Sequence, residues 1–443
     1  MMDPAIEWGL SGTRRHLLQT AGLGIGAMAV QSLLARDGVL PRGADAAVTA
    51  RPPLLAPRAK HVIYLHMAGS PSQLELYEHK PELQRLHLQD CPESFLKGKR
   101  FAFIRGVPKI LAGQFSFRQY GESGQWISEL LPHFAGVVDR ACVIRTMQTE
   151  QFNHAPSQLF LHTGSARLGN PSLGSWATWG LGSLNENLPG FVVVCPAPVF
   201  QGAQLWASSF LPSAYQGTLV RDLKNPISNL AVAGGVDRQR VRLDALQQLN
   251  ELHRGAREYN SQLDARIASF ELAFQMQRSA PEAFDLTTET AATHSLYSTD
   301  KPESELFGRQ CLLARRLVES GVRCIEVEST GWDMHRDLWD DLPGKVGELD
   351  TALAALLEDL AERGLLGSTL VVLATEFGRS PQVNENAGRD HHPGVFSCVL
   401  AGAGVKAGIV HGGSDAGGRT PDGDAVRVAE DRKSTRLNSS HRT

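Results

Sequence analysis

The chain lacks several features that would assign it to a common class of protein. Its 443 residues carry 44 Lys and Arg against 47 Asp and Glu, which gives a formal net charge of −3. A protein that binds nucleic acid by neutralising phosphates needs a clear basic excess, and this chain has none. No apolar run in the body of the chain reaches the roughly 20 residues that span a bilayer. We therefore expect no nucleic-acid partner and no stable transmembrane segment in the mature chain.

Sequence motifs of three large enzyme classes are also missing. The chain has no G-x-S-x-G pentad, no G-x-x-x-x-G-K-[ST] phosphate loop and no G-x-G-x-x-G fingerprint. Serine hydrolases of the α/β-hydrolase type, nucleotide kinases and dinucleotide oxidoreductases are therefore disfavoured. The six cysteines are scattered without C-x-x-C spacing, which disfavours a thiolate-bound metal. One or two disulfides remain open for an exported protein, but buried thiols are the more common role.

The N-terminal segment resembles a targeting sequence. The pair Arg14 and Arg15 precedes an apolar stretch rich in Gly and Ala, which is the pattern of a twin-arginine export signal. An amphipathic first helix is the alternative, but three glycines in the stretch would weaken it. We predict an export signal over residues 1–46 and a linker over 47–59. The protein would then use the twin-arginine export machinery and reside in the periplasm or outside the cell.

The C-terminal segment differs from what precedes it. Residues 431–443 resemble one reading frame of a sequencing-library adapter translated as protein, although a genuine basic tail is the alternative. We therefore expect this tail to be non-native. The folded domain is predicted over residues 60–430, cut short at its C-terminus.

Hydrophobic periodicity in the body alternates between strands and helices. His61–Met67 and Ser368–Ala374 are apolar runs of the kind that is buried on both faces of a sheet. Two more strands and two helices are predicted at Arg323–Glu328, Phe396–Leu400, Glu303–Ser320 and Lys345–Glu362. This alternation predicts an α/β fold with a mainly parallel central sheet and helices on both faces. A continuous helical pattern over residues 236–280 predicts an inserted segment of one or two long helices.

Polar side chains collect where the predicted strands end. In open α/β sheets, ligands bind beyond the carboxyl ends of the strands, so the polar residues there are candidates for a site. These residues are Glu75, Asp333, His335, Glu376, Asp390 and His391. Mixed carboxylates and imidazoles bind Zn, Mn, Mg or Ca, so the pattern predicts a divalent metal.

Each of these residues also has a purely structural interpretation. Asp333 could cap the helix that follows, because Asp is a strong N-cap. His335 and His391 could be satisfied core histidines, and Glu376 could form a local salt bridge with Arg379. The convergence of all these residues on one sheet edge favours a site.

Several segments together resemble a known family. They are His61 to Leu83, Asn153-His154-Ala155-Pro156, Gly331-Trp332-Asp333-Met334-His335, Glu376-Phe377-Gly378-Arg379 and Gly388-Arg389-Asp390-His391. In this order they resemble the domain-of-unknown-function 1501 family, which consists of sulfatase-like exported bacterial proteins. The resemblance covers the chain from about Lys60 to Glu430. It implies an alkaline phosphatase/sulfatase-like fold, in a superfamily that hydrolyses phosphate and sulfate esters at one or two metal ions.

The chain departs from that superfamily at the nucleophile. Sulfatases carry C-x-P-S-R followed by a short apolar run and Thr-Gly. The matching stretch here keeps the spacing to Gly164, but His154 stands at the nucleophile position and Gln158 at the arginine position. A formylglycine mechanism is therefore excluded at this position. The first-strand aspartate has no equivalent, although Glu75 lies nearby, and the late Asp-His pair appears as Glu376 followed by phenylalanine.

Two functions are compatible with these residues. The first is an exported metal-dependent hydrolase of an anionic ester, such as a sulfated or phosphorylated glycan. In the hydrolase, Asp333, His335, Glu376 and His391 hold the ion, with Glu75 as a further ligand. The second is a non-catalytic exported binding or assembly protein that reuses the sulfatase-like fold.

The hydrolase also needs a nucleophile and groups that bind the anion. His154, Ser157 and Ser72 are alternative nucleophiles, each of which requires an activating neighbour. Arg379 and Arg389 are candidates for bidentate binding of the sulfate or phosphate group.

Overall fold

The computed structural model describes most of the predicted α/β domain. The described residues are 58–93, 109–110, 112–224, 226, 235–255 and 261–428. The predicted export signal (1–46) and the tail (431–443) lie outside this part of the chain, as does nearly all of the linker. Those boundaries stay predictions.

The described residues form fifteen strands, most of them in one central sheet. They are β1 His61–Met67, β2 Phe117–Tyr120, β3 Gln125–Ser128, β4 Ala141–Gln148, β5 Phe191–Val194, β6 Thr218–Val220, β7 Cys324–Ser329, β8 Thr369–Ala374, β9 Gly378–Val383, β10 Arg389–His392, β11 Phe396–Gly402, β12 Ile409–His411, β13 Gly413–Ser414, β14 Pro421–Asp422 and β15 Val426–Arg427.

Ten α-helices accompany these strands in the described part of the chain. They are α1 Gln73–Leu76, α2 Pro81–Arg85, α3 Pro132–Val137, α4 His154–Thr163, α5 Leu173–Leu181, α6 Val236–Gly255, α7 Ser261–Phe284, α8 Ala291–Leu296, α9 Glu305–Glu319 and α10 Leu338–Glu362. The two long helices α6 and α7 confirm the predicted helical insertion.

The central sheet is mainly parallel, as predicted. Its order is β12-β4-β11-β8-β1-β7-β5-β6, and β15 also pairs with β4. Strands β8, β1, β7, β5 and β6 are parallel neighbours, whereas β11 runs antiparallel to both β4 and β8. Periodicity does not predict this reversal. It arises because the short β9–β10 hairpin, and not a crossover helix, connects β8 to β11, and parallel neighbours need a long crossover.

Different helices cover the two faces of the sheet. On one face, Val192 and Val194 of β5 belong to the large apolar core that contains the buried side chains of α9 and α10. On the other face, Phe191 and Val193 pack with Leu159 of α4 in a smaller core. Because alternate strand residues point to opposite faces, the uniform apolar sequence of β5 serves both cores.

Helix α10 begins earlier than the sequence pattern predicts. We expected it to start at Lys345, but it starts at Leu338 and contains Pro343. Proline removes one backbone hydrogen bond inside a helix. Leu338 and Leu342 are almost fully buried in the core, and their burial offsets that loss.

The described residues show the state of the cysteines and the character of the helices. All six cysteines are free and buried, so they serve as packed side chains and form no disulfide. No helix in the described ranges combines the length and the apolarity that crossing a bilayer requires.

The buried face of α10 is a major source of the domain's stability. We expect Leu356→Ala, at a side chain with 0% exposure, to lower the free energy of unfolding by about 2–5 kcal/mol. Leu252→Ala is the control, because this α6 side chain is 74% exposed and its loss leaves little cavity. Urea unfolding followed by circular dichroism measures both. Equal effects of the two variants would contradict the core packing described here.

Candidate metal centre

The loop after β7 brings Asp333 and His335 to the carboxyl edge of the sheet. It passes so close to the loop after β1 that a Cβ on Gly69 would lie 2.6 Å from the Asp333 nitrogen. Gly69 also has φ +115°, a conformation that side chains rarely adopt. Glycine is therefore required here, because it lets the ends of two neighbouring strands approach each other.

The β9–β10 hairpin places Arg379 beneath this loop, with His391 beside it. Arg379 on β9 is the register partner of His391 on β10. The Arg379 guanidinium is buried and donates to the Ser70 carbonyl at 2.8 Å, to the Arg389 carbonyl at 3.0 Å and to Asp333 Oδ1 at 2.6 Å. These bonds hold three separate segments in one arrangement, and they leave Arg379 committed to protein acceptors.

Helix α4 begins at His154 and points this side chain at the same carboxylate. His154 Nδ1 lies 2.6 Å from Glu376 Oε1, and His154 Nε2 lies 3.1 Å from Asp333 Oδ1. One turn later, Gln158 donates to the same Glu376 oxygen at 3.0 Å. Gly69 donates its backbone N–H to that oxygen as well, at 3.0 Å. Glu376 therefore stands behind His154 and fixes the orientation of its ring.

Three imidazoles thus meet at one carboxylate oxygen. Asp333 Oδ1 lies 3.1 Å from His154 Nε2, 3.1 Å from His335 Nε2 and 3.3 Å from His391 Nε2. Two of the imidazoles touch each other, with His335 Nε2 and His391 Nε2 2.9 Å apart. We call Asp333, His154, His335 and His391 the Asp333 cluster.

Each imidazole in the Asp333 cluster is held from behind by an oxygen acceptor. His154 Nδ1 faces Glu376 at 2.6 Å, His335 Nδ1 faces Asp390 at 3.3 Å, and His391 Nδ1 faces the Phe152 carbonyl at 2.7 Å. An Nδ1–H that donates to such an acceptor leaves Nε2 with a bare lone pair. All three Nε2 atoms are then metal-ligand atoms, oriented in the way that outer-shell acceptors orient the histidines of known metal sites.

The electrostatics of the cluster favour a charged carboxylate. Burial raises the pKa of Asp333, but hydrogen bonds from the three imidazoles and the charge of Arg379 outweigh it and hold this pKa far below its usual range. Burial alone would lower the pKa of His154 and His335, yet the neighbouring carboxylates raise both. For His391 burial prevails and lowers the pKa, which favours the neutral ring that binds metal.

The structure brings some of the predicted site residues together and separates others. Asp333, His335 and His391 converge. Glu376 stands behind the His154 imidazole, and Asp390 stands behind the His335 imidazole. His154, named from the sequence as an alternative nucleophile, faces Asp333 together with the two other histidines.

Glu75 and Arg389 lie together, apart from the Asp333 cluster. Arg389 Nη2 donates to Glu75 Oε1 at 2.7 Å, and both side chains have 0% exposure. Arg389 also donates to the carbonyls of Ser380 and Pro381. This pair holds α1 against the β9–β10 hairpin, and the buried guanidinium has no route to a ligand in solution.

The two candidate serines are buried. Ser157 lies on α4 and Ser72 immediately precedes α1, and both hydroxyls lack a hydrogen-bond partner within the described residues. No hydrogen bond or ion pair joins either serine to the Asp333 cluster in that part of the chain.

Sequence reasoning missed neighbours that the structure places around the cluster. His66 Nε2 lies 3.4 Å from Glu376 Oε2, beneath the site. Phe200 and Phe377 flank the His154 ring, with ring centroids 5.1 and 4.9 Å away. The position of His66 near the end of the mostly apolar strand β1 is the sequence signal that could have identified it as a neighbour of the site.

A cavity of about 400 Å³ opens beside the Asp333 cluster. Asp333 is part of its wall, and its side chain is 36% exposed. The cavity is lined by Gly331, Asp333, Met334, Arg336, Asp341, Gly344, Lys345 and Glu348. Small polar molecules can therefore reach the Asp333 carboxylate from solution, past a lining that carries side chains of both charges.

The fold and the cluster define an α/β protein with a candidate metal centre at the carboxyl edge of its sheet. The chain belongs to the family described as "Protein of unknown function (DUF1501)", whose model matches residues 59–438. A comparison with curated protein sequences finds no match.

Several solved structures align over most of the chain. The alkaline phosphatase from the Antarctic bacterium TAB5 is 12% identical with a TM-score of 0.34, covering 80% of this chain and 95% of that chain. The lipoteichoic acid synthase LtaP from Listeria monocytogenes is 8% identical with a TM-score of 0.38, covering 84% and 75%. The PsFucS1 sulfatase from Pseudoalteromonas sp. is 12% identical with a TM-score of 0.32, covering 88% and 68%. The likeness concerns the fold alone.

The buried Glu75–Arg389 pair generates a prediction that separates stability from metal binding. We expect Glu75→Gln to lower the free energy of unfolding by about 3–5 kcal/mol, because it leaves a buried guanidinium without its counter-charge. The bound metal per folded molecule should stay unchanged. Urea unfolding and elemental analysis of the folded fraction measure the two quantities.

Glu82→Gln is the matched control. Glu82 pairs with Arg85 on the surface, so its loss should change stability little. Loss of metal from the folded Glu75→Gln protein would instead support Glu75 as a ligand.

Proposed function

We propose that this protein is a metal-dependent hydrolase of sulfate or phosphate esters, with the Asp333 cluster as its metal site. One observation carries the proposal. Each of three imidazole Nε2 atoms lies within 3.3 Å of the Asp333 carboxylate oxygen, and each imidazole is held from behind by an acceptor. When the three rings are neutral, their lone pairs and the anionic oxygen face one another at close range, which is the arrangement that a cation stabilises.

The donor set narrows the choice of ion. Three imidazoles and one carboxylate suit Zn or Mn, whereas Mg and Ca prefer oxygen ligands. A bound ion of this kind polarises an ester oxygen and lowers the pKa of a water molecule. The chain itself contributes the orientation of the ligands and a partly exposed carboxylate beside an open cavity.

The residues around the cavity divide the remaining tasks. Arg379 is buried and bonded to Asp333 and to backbone carbonyls, so it positions the carboxylate. Lys345 lines the cavity too, but it is paired with Glu348 at 2.7 Å, whereas Arg336 lies next to Asp333 and can attract an anionic ester. We therefore assign anion attraction to Arg336 in place of Arg379 and Arg389.

Water is the nucleophile in this proposal. Ser72 and Ser157 are buried, and within the described residues neither hydroxyl has a hydrogen-bond partner that could activate it. His154 has Nδ1 on Glu376 and Nε2 on Asp333, so its ring is engaged at both nitrogens. A water that reaches Asp333 through the cavity needs none of these side chains as an attacking group.

Export and substrate complete the proposal. The paired arginines of the N-terminal segment support transport by the twin-arginine machinery to the periplasm or beyond. There the substrate would be an anionic ester such as a sulfated or phosphorylated glycan. The exposed Phe200 ring, which stacks on His154, offers an apolar platform for such a ligand beside the site.

The metal site and the activity are tested with the same set of proteins. We expect Asp333→Asn and His391→Gln each to lose one equivalent of Zn or Mn relative to the wild type. Turnover of aryl sulfate or aryl phosphate should fall at least about 100-fold, because the ion's electrostatic contribution to the transition state is lost. His411→Gln is the control, since His411 lies on β12 outside the cluster. Elemental analysis and a chromogenic assay are the measurements.

The outcomes separate the two candidate functions. Full metal content in Asp333→Asn would overturn the metal site. Bound metal without turnover, combined with a sulfated glycan that is retained and recovered unchanged, would instead identify a non-catalytic binding protein.

A further prediction concerns the acceptor behind His154. Glu376→Gln keeps the shape of the side chain but removes the charge that orients the imidazole. We expect metal affinity to fall about 10–100-fold, as for other outer-shell carboxylates. Titration with Zn²⁺ in a competing chelator measures the change. An unaltered affinity would show that Glu376 does not support the site.

A further inference from the structure

A second group of ionisable side chains lies beneath the Asp333 cluster, inside the fold. Strands β1 and β7 are parallel neighbours, with His66 opposite Glu328 and Tyr64 opposite Glu326. Residues two apart on a strand share a face, so both glutamates point to one side of the sheet. His162 of α4 meets them from that side. We call His66, His162, Glu326 and Glu328 the buried cluster.

The buried cluster is closed to solvent and short of positive charge. Its side chains have exposures of 0% for His66 and Glu328, 2% for His162 and 7% for Glu326. Within the described residues, the ion-pair partners of the two glutamates are histidines, and no lysine or arginine is among them. Two adjacent carboxylates in such surroundings are costly unless a bound cation or a shared proton compensates them.

The ligand atoms of the buried cluster point at one another. His162 Nδ1 lies 2.8 Å from the Gln158 carbonyl, which can only accept, so Nδ1 carries the proton and Nε2 is a bare lone pair. That Nε2 lies 3.5 Å from Glu326 Oε1 and 3.5 Å from Glu328 Oε1. None of the three atoms has a hydrogen-bond partner in the described structure. Three acceptors therefore face a common point.

The spacing of these atoms fits a bound ion. In a tetrahedral site with bonds of about 2.1 Å, neighbouring ligand atoms are separated by about 3.4 Å. The two 3.5 Å separations around His162 Nε2 agree with that value. One donor atom each from His66, His162 and Glu328 lies within 4.8 Å of the others, and Glu326 approaches this group through its 3.5 Å contact with His162 Nε2.

We propose that His66, His162, Glu326 and Glu328 bind a second divalent cation, Zn or Mn, separate from the ion at the Asp333 cluster. Two carboxylates and a divalent ion form a neutral unit, which removes the electrostatic cost of burying them. Four protein ligands with no solvent access are typical of a structural site. This inference does not rest on the proposed hydrolase activity.

Helix α4 links the two sites. His154, Gln158 and His162 are spaced at i, i+4 and i+8, so they lie along one stripe of the helix. His154 belongs to the Asp333 cluster and His162 belongs to the buried cluster. Glu376 lies between them, with Oε1 on His154 and Oε2 3.4 Å from His66 Nε2. An ion in the buried cluster would therefore stabilise the helix that presents His154.

The experiment counts ions in the full-length chain after reconstitution with Zn²⁺ or Mn²⁺. We expect two equivalents in the wild type and the loss of one in His162→Gln and in Glu326→Gln, accompanied by a lower Tm. Asp333→Asn should lose the other equivalent. His61→Gln is the matched control, because His61 is a buried histidine of the same strand that bonds the Val322 carbonyl, away from the cluster. Elemental analysis and thermal unfolding are the measurements.

Crystals of the wild type grown with Zn²⁺ make the test independent of whether the variants fold. An anomalous peak between His162 and Glu328 supports the proposal, and its absence overturns it. Unchanged metal content in both His162→Gln and Glu326→Gln also overturns it. If Asp333→Asn loses an ion and His162→Gln and Glu326→Gln do not, the buried site is wrong and the metal site of the proposed function stands. If His162→Gln and Glu326→Gln each lose an ion and Asp333→Asn does not, only the metal site of the proposed function is contradicted.

Discussion

The arrangement of the site depends on the buried guanidinium of Arg379. It bonds at once to Asp333 of the β7 loop, to the Ser70 carbonyl after β1 and to the Arg389 carbonyl of the hairpin. A guanidinium offers five donors in a rigid fork, so it can hold several acceptors at fixed angles. Removed from water, it must keep those partners. The β7 loop, which bears Asp333 and His335, and the hairpin, which bears His391, are therefore held in one geometry with the loop after β1.

Around this guanidinium, polar side chains form successive layers from the carboxyl edge of the sheet into the fold. Imidazole Nε2 atoms face Asp333, and carboxylates or a carbonyl stand behind their Nδ1 atoms. Glu376 connects this layer to His66 and the buried glutamates below. Such a stack of ionisable groups in a domain core is stabilised by hydrogen bonds and by the aromatic rings that flank it, such as Phe377 beside His154. The cations that we propose for the two clusters would compensate its negative charge.

Local sequence patterns predicted several strands and helices of this fold well. The apolar run His61–Met67 is β1 with the same bounds, and the leucine spacing of α10 is correct to its last residue, Glu362. Burial on both faces of a strand leaves a direct mark on the sequence. The antiparallel direction of β11 and the early start of α10 have no such sequence signal. The direction of β11 depends on the β9–β10 hairpin that connects it to β8, and the start of α10 depends on the tertiary burial of Leu338.

By itself, the sequence determined several of the main strands and helices, and that Asp333 and His335 follow the end of β7. It did not predict β10, the strand that contains His391. Only the tertiary structure decided how these groups combine. His154 and Glu376 are 222 positions apart and meet because α4 is docked on one face of the sheet. Glu75, which the sequence placed among the ligands, pairs instead with Arg389 inside the fold. Periodicity is a local property, whereas the direction of a side chain at a strand end is set by the loops and helices that pack against it.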